Sequence, residues 1–507
     1  MKAIPLKINR IINVLSQFLL SPKGRKVFLV SVIALAGALR MYRASMPIAD
    51  NHSWRQTDSA AVIRNLAVEK FDLLRPRWNN LVATNGRGLP NPERYFFEDF
   101  PPAFDMYAAI FYQILGGQVV AFRLPAIIFS LLTIVFLFYL VGEITDFRLG
   151  ALAALIYAVL PFSVFFSRGV FQEVALNFYV VANLYFLHRY LRKPSFPPFI
   201  LAIVMNALLF LTKPYALVYL LPEVFLFFQK GKWGIWKDKK VWAYFLLSLI
   251  PFGLWWLWTK RFPEGIPYSG WLFNEENIRF KGSFFYWIFA QRLSALILGF
   301  YGILFFGLGI LIWGKFADGV FYAWLVSLLV YVSVIAKGNV THDYYQIPFL
   351  PVVAYFSAKG IDFLFGLSKK FWEKVTAVII IGLFGIFSLA FSWYEVRNFY
   401  DLKSGVDLAG DFVKQNTPRE ALIIAGDGAD PTLLFNTNRV GWTVGYGSIY
   451  ENKEAVIEGL REEGASFYVT TTVNQIKGTP FDQYLRQRFS ILKETDQFIV
   501  FSLSQGQ

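Results

Sequence analysis

Long apolar runs separated by short, basic stretches fill the chain from about residue 27 to about residue 393, and beyond that point the pattern becomes that of an ordinary soluble domain. A helix of roughly 20 apolar residues crosses the hydrocarbon of a bilayer, and several runs reach or approach that length with few charges. The pattern predicts an α-helical polytopic membrane protein. Lys2, Lys7, Arg10, Lys23, Arg25 and Lys26 place the N-terminus in the cytoplasm, residues 6–20 read as an amphipathic surface helix, and the first span is expected over 27–45. It has no small-residue cleavage pattern and should stay as an anchor. A large outer loop then runs over about 46–120. Its segment 103–116 carries Asp105 and Gln113 and is too short to cross, so it reads as an interfacial helix, and the second span is expected at 123–143.

With that assignment the basic stretches 188–193, 230–240 and 369–374 all fall on the inner side. The run 199–228 is too long for one span and is broken at Lys213-Pro214, which predicts a tight helical hairpin. The count is about eleven spans with the last at 373–393. Residues 394–507 are expected to form a small extracytoplasmic α/β domain, with strands at 421–425, 466–471 and 498–503 and helices at 406–415 and 451–463. The resulting division is a cytoplasmic N-terminus, 1–26, a membrane part, 27–393, and the outer domain, 394–507. Within that domain Gly426-Asp427-Gly428-Ala429-Asp430 reads as a strand-to-helix turn, having neither the dinucleotide spacing nor a P-loop lysine.

Composition agrees: 56% of residues are hydrophobic and the mean hydropathy is +0.44. With 54 Phe, 26 Tyr and 15 Trp, many helix ends can carry interfacial aromatics. The net charge of +14 lies in loops between apolar runs, which points to membrane orientation rather than to nucleic acid. The absence of cysteine excludes disulfides and thiolate metal sites.

The chemistry-bearing residues all fall in the outer loops. Asp50, His52, Arg55 and Asp58 put two carboxylates, an imidazole and a guanidinium into nine residues, a set able to remove a proton and hold an anion. The plainer alternative is that Thr57 or Asp58 caps a helix over 59–69, that Asp50 is a solvated loop acid and that Arg55 makes a structural ion pair. Glu98 and Asp99 follow Tyr95-Phe96-Phe97, whose aromatic rings suit the headgroup level. Lys213 is a lone cation in an apolar hairpin, where it needs an anionic partner, either Glu173 or a lipid phosphate. In 337–348, His342 can donate to a phosphate oxygen, and Asp343 can fix its tautomer or position a sugar hydroxyl. No H-E-x-x-H or comparable metal spacing occurs, and metal use is left open.

Over about residues 27–365 the chain resembles the GT-C superfamily of polyprenyl-phosphate-sugar glycosyltransferases, in the branch of the protein O-mannosyltransferases and the lipid A aminoarabinose transferase. The resemblance rests on His52-x-Trp54-Arg55-Gln56-Thr57-Asp58-x-Ala60, the Phe97 to Pro101 element, Arg123-Leu124-Pro125, Ser167-Arg168 with Glu173, Thr212-Lys213-Pro214, and His342-Asp343-Tyr344-Tyr345 with Pro348. It implies an inverting transfer on the outer face of a prokaryotic plasma membrane: a first-loop acid deprotonates an acceptor hydroxyl on a glycan, lipid or protein, and the lipid phosphate leaves. Relatives carry Asp-Glu in that loop, whereas here Asn51 follows Asp50. Asp50 and Asp58 are therefore rival bases, with Asp58 favoured because it belongs to the stretch that carries the resemblance, and His52 a weaker third. The same resemblance implies substrate contacts for Glu98, His52, Arg55, Asp99, Arg123, Glu173, Lys213, His342, Asp343 and Tyr345, with Glu98 near the reaction. It implies a polyprenyl-phosphate-linked sugar as donor and no nucleotide cofactor, with a divalent cation left open. The alternative is a transporter or flippase of lipid-linked sugar, which would place its ionisable residues near the bilayer midplane.

Overall fold

The computed structural model of the chain describes residues 21–98, 100–368, 370–444 and 452–504. The expected surface helix over 6–20 and the acid Asp99 lie outside the described residues. The chain forms two compact units: residues 1–44, 124–256 and 269–398 make up one, and residues 45–123, 257–268 and 399–507 the other.

The first unit is a helical bundle. Among the described residues five helices are long and apolar enough to cross a membrane: Val120–Ile144, Lys239–Thr259, Phe316–Val334, Asp343–Leu367 and Phe371–Tyr400. A sixth is present if the pair Gly282–Ile297 and Gly302–Leu311, bent by 119°, makes one broken span. The second and last expected spans coincide with the helices Val120–Ile144 and Phe371–Val396. The expected hairpin break is also present: a helix Phe196–Thr212 stops, a 3-10 turn covers Pro214–Tyr219, and a helix Leu220–Gly231 follows. Its cause is local. Pro214 disfavours helical backbone in the residue before it, and Lys213 is extended, at φ −152 and ψ 137.

Small residues let these helices pack closely, as is common where lipid surrounds a bundle. A Cβ at Gly309 would lie 1.8 Å from the Phe356 carbonyl oxygen, and one at Gly360 2.0 Å from that of Phe305, so two glycines set the crossing of Gly302–Leu311 with Leu350–Leu367. Some polar side chains inside the bundle pair with one another. The fully buried Glu223 accepts from Asn183 at 2.8 Å and Asn206 at 3.0 Å, while the Tyr244 hydroxyl donates to Asn183 at 2.8 Å. This network joins four helices, and the sequence pattern alone does not single out Glu223.

The second unit is built on a five-stranded sheet, β1 Leu422–Ala425, β2 Val440–Thr443, β3 Ala465–Thr470, β4 Ser490–Glu494 and β5 Ile499–Ser502, in the order β2-β1-β3-β5-β4. The β2, β1 and β3 pairings are parallel, and β5 runs antiparallel to β3 and β4. Alternate residues face opposite ways. Ile424, Tyr468 and Phe501 pack with Ile457, Phe481 and Leu485 on one face, and Ile423, Val469 and Val500 with Val413 and Leu433 on the other. Three strands and two helices stand where expected; β2 and β4 were not foreseen.

Residues 45–123 belong to this same unit. Its residues 79–81 cover the edge of β2, with Asn80 in a parallel bridge to Gly441, Leu81 N–H donating to the Gly441 carbonyl at 2.8 Å and Gly441 N–H to that of Asn79 at 3.2 Å. Covering an edge removes unpaired backbone groups. The domain expected at 394–507 is thus, from residue 399 on, one body with the loop at 45–123. The Gly426 to Asp430 segment is the turn its composition suggests: Asp427 accepts from Thr471 N–H at 2.8 Å and Asp430 from Thr432 N–H at 2.9 Å. Burial pushes the Asp427 carboxyl above its ordinary range. Residues 103–116 contain a helix Asp105–Ile114 of 10 residues. At about 1.5 Å per residue it covers about 15 Å, half of a bilayer core.

Candidate active site

In the unit that carries the sheet, Asp50 sits three residues before the helix Ser53–Val68. His52 makes the entry turn in the left-handed region, at φ 52 and ψ 33, which is uncommon for a residue with a Cβ. The Asp50 carboxylate, 3% exposed, is held through both oxygens: Gln56 Nε2 donates to Oδ1 at 2.7 Å, and Arg123 Nη2 lies 3.3 Å from Oδ2. Gln56 also donates to the Asn51 carbonyl at 3.0 Å, and Arg123, fully buried, reaches the Pro47 carbonyl at 3.4 Å. One arginine and one amide therefore fix the acid's direction.

The capping alternative for Thr57 and Asp58 is corrected. The helix begins at Ser53, six residues before its expected start at 59, because the His52 turn initiates it early. Thr57 Oγ1 donates to the Ser53 carbonyl at 2.8 Å, an interior helical bond, and Asp58 lies buried in the second turn. Arg55, also buried, donates to Ser59 Oγ at 2.8 Å and pairs with Glu98 at 3.1 Å. Glu98 is placed by its aromatic neighbours: Phe96 stacks on Trp78 at 4.3 Å, Phe97 stacks on Phe262 at 5.5 Å, and Phe97 N–H donates to the Gly265 carbonyl at 2.8 Å. A Cβ at Gly265 would lie 2.7 Å from that of Tyr95, so glycine is required for this approach. Asp50, Arg123, Arg55, Glu98, His52 and Asp58 thus share one unit.

In the helical unit a second group forms. Lys213 Nζ lies 3.7 Å from Glu173 Oε1, giving the expected anionic partner. His342 stacks on Tyr344 at 5.5 Å and on Tyr345 at 6.2 Å, with the Trp271 ring edge-on at 5.6 Å. Tyr344 stacks in turn on Phe171 at 5.5 Å, and Asn177 donates to the Ile347 carbonyl at 2.8 Å, which ties the Glu173 helix, Gln172–Arg192, to the His342 segment. Tyr215, two residues from Lys213, lies 6.5 Å from Tyr345. Asp343 pairs with Arg292 at 3.8 Å. Sequence reasoning missed Arg292 and gave Gln56 no role. The signal for Arg292 was present: like Lys213, it is a lone cation in an apolar stretch.

Among the described residues no three His, Asp or Glu side chains gather as a metal site. Asp50 pairs with Arg123 and Gln56, and Glu98 with Arg55.

Comparison with known proteins finds a family match over residues 99–258, to the dolichyl-phosphate-mannose-protein mannosyltransferase family. No curated protein matches by sequence. Among solved structures the chain is similar to ArnT from Cupriavidus metallidurans bound to undecaprenyl phosphate, with a TM-score of 0.64 at 15% identity, covering 96% of this chain and 100% of that one. It is also similar to the Archaeoglobus fulgidus oligosaccharyltransferase in complex with Zn and sulfate, at 0.57 and 12%, covering 88% of this chain and 68% of that one. A third is the oligosaccharyltransferase AglB of the same organism with an inhibitory peptide and a dolichol-phosphate, at 0.54 and 12%, covering 89% and 70%. At these identities the likeness establishes the fold. The chain therefore has the fold of these structures, and over residues 99–258 it matches the dolichyl-phosphate-mannose-protein mannosyltransferase family.

Proposed function

We propose that this chain is an integral-membrane glycosyltransferase that moves a sugar, with inversion, from a polyprenyl-phosphate donor to an acceptor hydroxyl on the extracytoplasmic face. The observation that carries the reading is the shared fold with ArnT bound to undecaprenyl phosphate and AglB with dolichol-phosphate, joined to the family match. The transporter alternative has no corresponding support.

Asp50 is the proposed base. It accepts the acceptor's hydroxyl proton as the new carbon–oxygen bond forms at the anomeric carbon, and the bond from that carbon to the phosphate oxygen breaks. The electron pair leaves with the lipid phosphate. General base catalysis needs a lone pair held in a fixed direction, and Asp50 has both oxygens tethered. Asp58 lies in the body of its helix and is the second candidate. Arg55 and Glu98 are proposed to position the acceptor or sugar, with Asp99, His52 and Tyr345 in the same service. Lys213 and His342, with Arg292 beside Asp343, supply the positive charge and donors that a leaving phosphate needs.

In the proposed membrane topology the N-terminus is cytoplasmic, about eleven spans are counted with short and broken helices included, and 394–507 is extracytoplasmic in a prokaryotic plasma membrane. The cysteine-free chain makes this testable. In intact cells a membrane-impermeant maleimide is expected to label Ser404→Cys and to spare Lys237→Cys until the membrane is opened. Labelling of both or neither would reject the orientation.

The reaction is tested with purified protein and labelled polyprenyl-phosphate hexose, by following loss of sugar from the lipid. Lys213→Met is expected to raise the donor KM about 10-fold to 100-fold, the worth of one charge-assisted contact. Inhibition by undecaprenyl phosphate should weaken in the same ratio. A purely structural lysine would lower the yield of folded protein and leave both constants unchanged.

A further inference from the structure

The segment that carries Asp50 is pinned on its flanks by the C-terminal residues. Asn436 Nδ2 donates to the Ile48 carbonyl at 3.0 Å, Lys403 N–H to the Ala49 carbonyl at 2.9 Å, and Asn51 N–H to the Phe399 carbonyl at 3.0 Å. The Thr432 hydroxyl lies 2.9 Å from that of Ser53. Four contacts thus fall on residues 48, 49, 51 and 53, two before the acid and two after it, and all come from residues 399–436 of the same compact unit.

The gripping residues are themselves held. Thr432 and Asn436 sit on the short helix Thr432–Thr437, and Asp430 both accepts from Thr432 N–H at 2.9 Å and forms an ion pair with Lys403. Leu433 and Leu434 anchor that helix in the core on one face of the sheet. Farther along, Arg64 donates to the Phe435 carbonyl at 3.0 Å and stacks on its ring at 4.3 Å, so the Ser53–Val68 helix is fastened to the same short helix at its start and again about three turns on. Burial lowers the Arg64 pKa to about 10, with Tyr112 and Glu69 acting in the opposite direction, and the guanidinium stays charged.

A loop carrying a base has to be stiff at that base, and loop backbone alone is not. The Asp50 loop contains the left-handed residue His52, a conformation that persists only where its surroundings determine it. Rigidity borrowed from a packed α/β core supplies that determination.

We infer that the C-terminal α/β fold is a positioning device for Asp50, acting through Thr432 and Asn436 on residues 48–53. The inference rests on the proposed base and goes beyond it, because neither residue touches the reacting atoms.

The test compares full-length wild type with Thr432→Val, which keeps shape and loses the hydroxyl, Thr432→Ser, which restores it, and Asn436→Ala. Hydrogen exchange of the peptide covering residues 45–56 is read together with kcat, KM for the lipid donor, and the melting temperature. Faster exchange of that peptide alone is expected in Thr432→Val and Asn436→Ala. With it should come a fall in kcat of about 10-fold to 100-fold, since a misplacement of about 1 Å costs up to that much. Donor KM and melting should stay unchanged, and Thr432→Ser should recover both the exchange and the rate. Unchanged exchange, or a rate loss that only follows the loss of folded protein, overturns the inference. Absence of transferase activity in wild type would remove the proposed function instead, and the exchange arm would still decide whether the segment is clamped.

Discussion

Asp50→Asn is expected to lower kcat for sugar transfer by between about 100-fold and 10,000-fold, the range that a positioned general base contributes. The substitution keeps the side chain's shape and removes its basic oxygen. It also places an amide NH2 where Gln56 or Arg123 now donates, so the direction of the group is lost along with its charge. A fully buried arginine left without its carboxylate is costly, on the order of 3 to 5 kcal/mol when a buried pair is broken. The melting temperature must therefore be read beside the rate. Two comparisons separate chemistry from folding. Donor KM should stay near the wild-type value in Asp50→Asn, because the loss lies in the transition state and not in binding of the lipid. Asp58→Asn and Glu98→Gln should each lose less than Asp50→Asn does. Near-normal turnover in Asp50→Asn with collapse in Asp58→Asn would make Asp58 the base, and normal turnover in all three would remove the first-loop acids from the chemistry.

What was legible beforehand follows the range over which each cause acts. The break at Lys213-Pro214 is the chemistry of two adjacent residues and was read directly. So were β1, β3 and β5, whose apolar residues are consecutive because both faces are buried. β4 escaped because its residues Ser490 to Glu494 form a largely exposed edge carrying Lys493 and Glu494, and β2 because it contains Gly441, which reads as a breaker until its closeness to the Ile423 carbonyl is seen. Residue type singled out the candidate residues, but of their pairings only Lys213 with Glu173 was expected. Arg123 and Asp50 are 73 residues apart, and nothing local says that one holds the other. The start of the Ser53–Val68 helix was misread because cap preferences favour Thr57 or Asp58, while the actual entry is a left-handed histidine that no preference would choose.

Residues 45–123, 257–268 and 399–507 are organised as one body. The first loop and the C-terminal residues each look self-contained in the chain, separated by the helices of the bundle. In the folded unit, residues 79–81 extend the sheet at β2 while residues 48–53 lean on the short helix beside it. Part of the acid-bearing loop shares the core of the sheet, with Leu81 and Val82 packed against it. Changes to the C-terminal fold should accordingly be felt at Asp50 before they are felt in the helical bundle.

In the bundle the largest single loss of stability is expected from Arg40→Leu. Arg40 is fully buried, and every one of its side-chain nitrogens makes hydrogen bonds: Nε to Ser130 Oγ at 2.8 Å, Nη1 to the carbonyls of Ala158 at 2.9 Å and Ala36 at 3.2 Å, Nη2 to Ser163 Oγ at 3.0 Å and the Tyr157 carbonyl at 3.4 Å. Tyr157 and Ala158 are in the last turn of the helix Phe147–Val159, whose final carbonyls have no partner within the helix. The next helix, Pro161–Phe166, opens with a proline that has no N–H to offer them. Arg40 is therefore the C-cap of one helix delivered from another, with its charge at the negative end of the helix dipole. Leucine fills the volume and leaves those acceptors buried without a donor, at about 1 to 3 kcal/mol for each unsatisfied group. A total of about 3 to 5 kcal/mol is expected, together with a clear drop in melting temperature in detergent. Arg40→Lys should fall between the two, because a single ammonium cannot reach carbonyls and hydroxyls on four helical segments from one position. If Arg40→Leu melts with wild type, the carbonyls at the Leu160 break find other donors and the cap is dispensable.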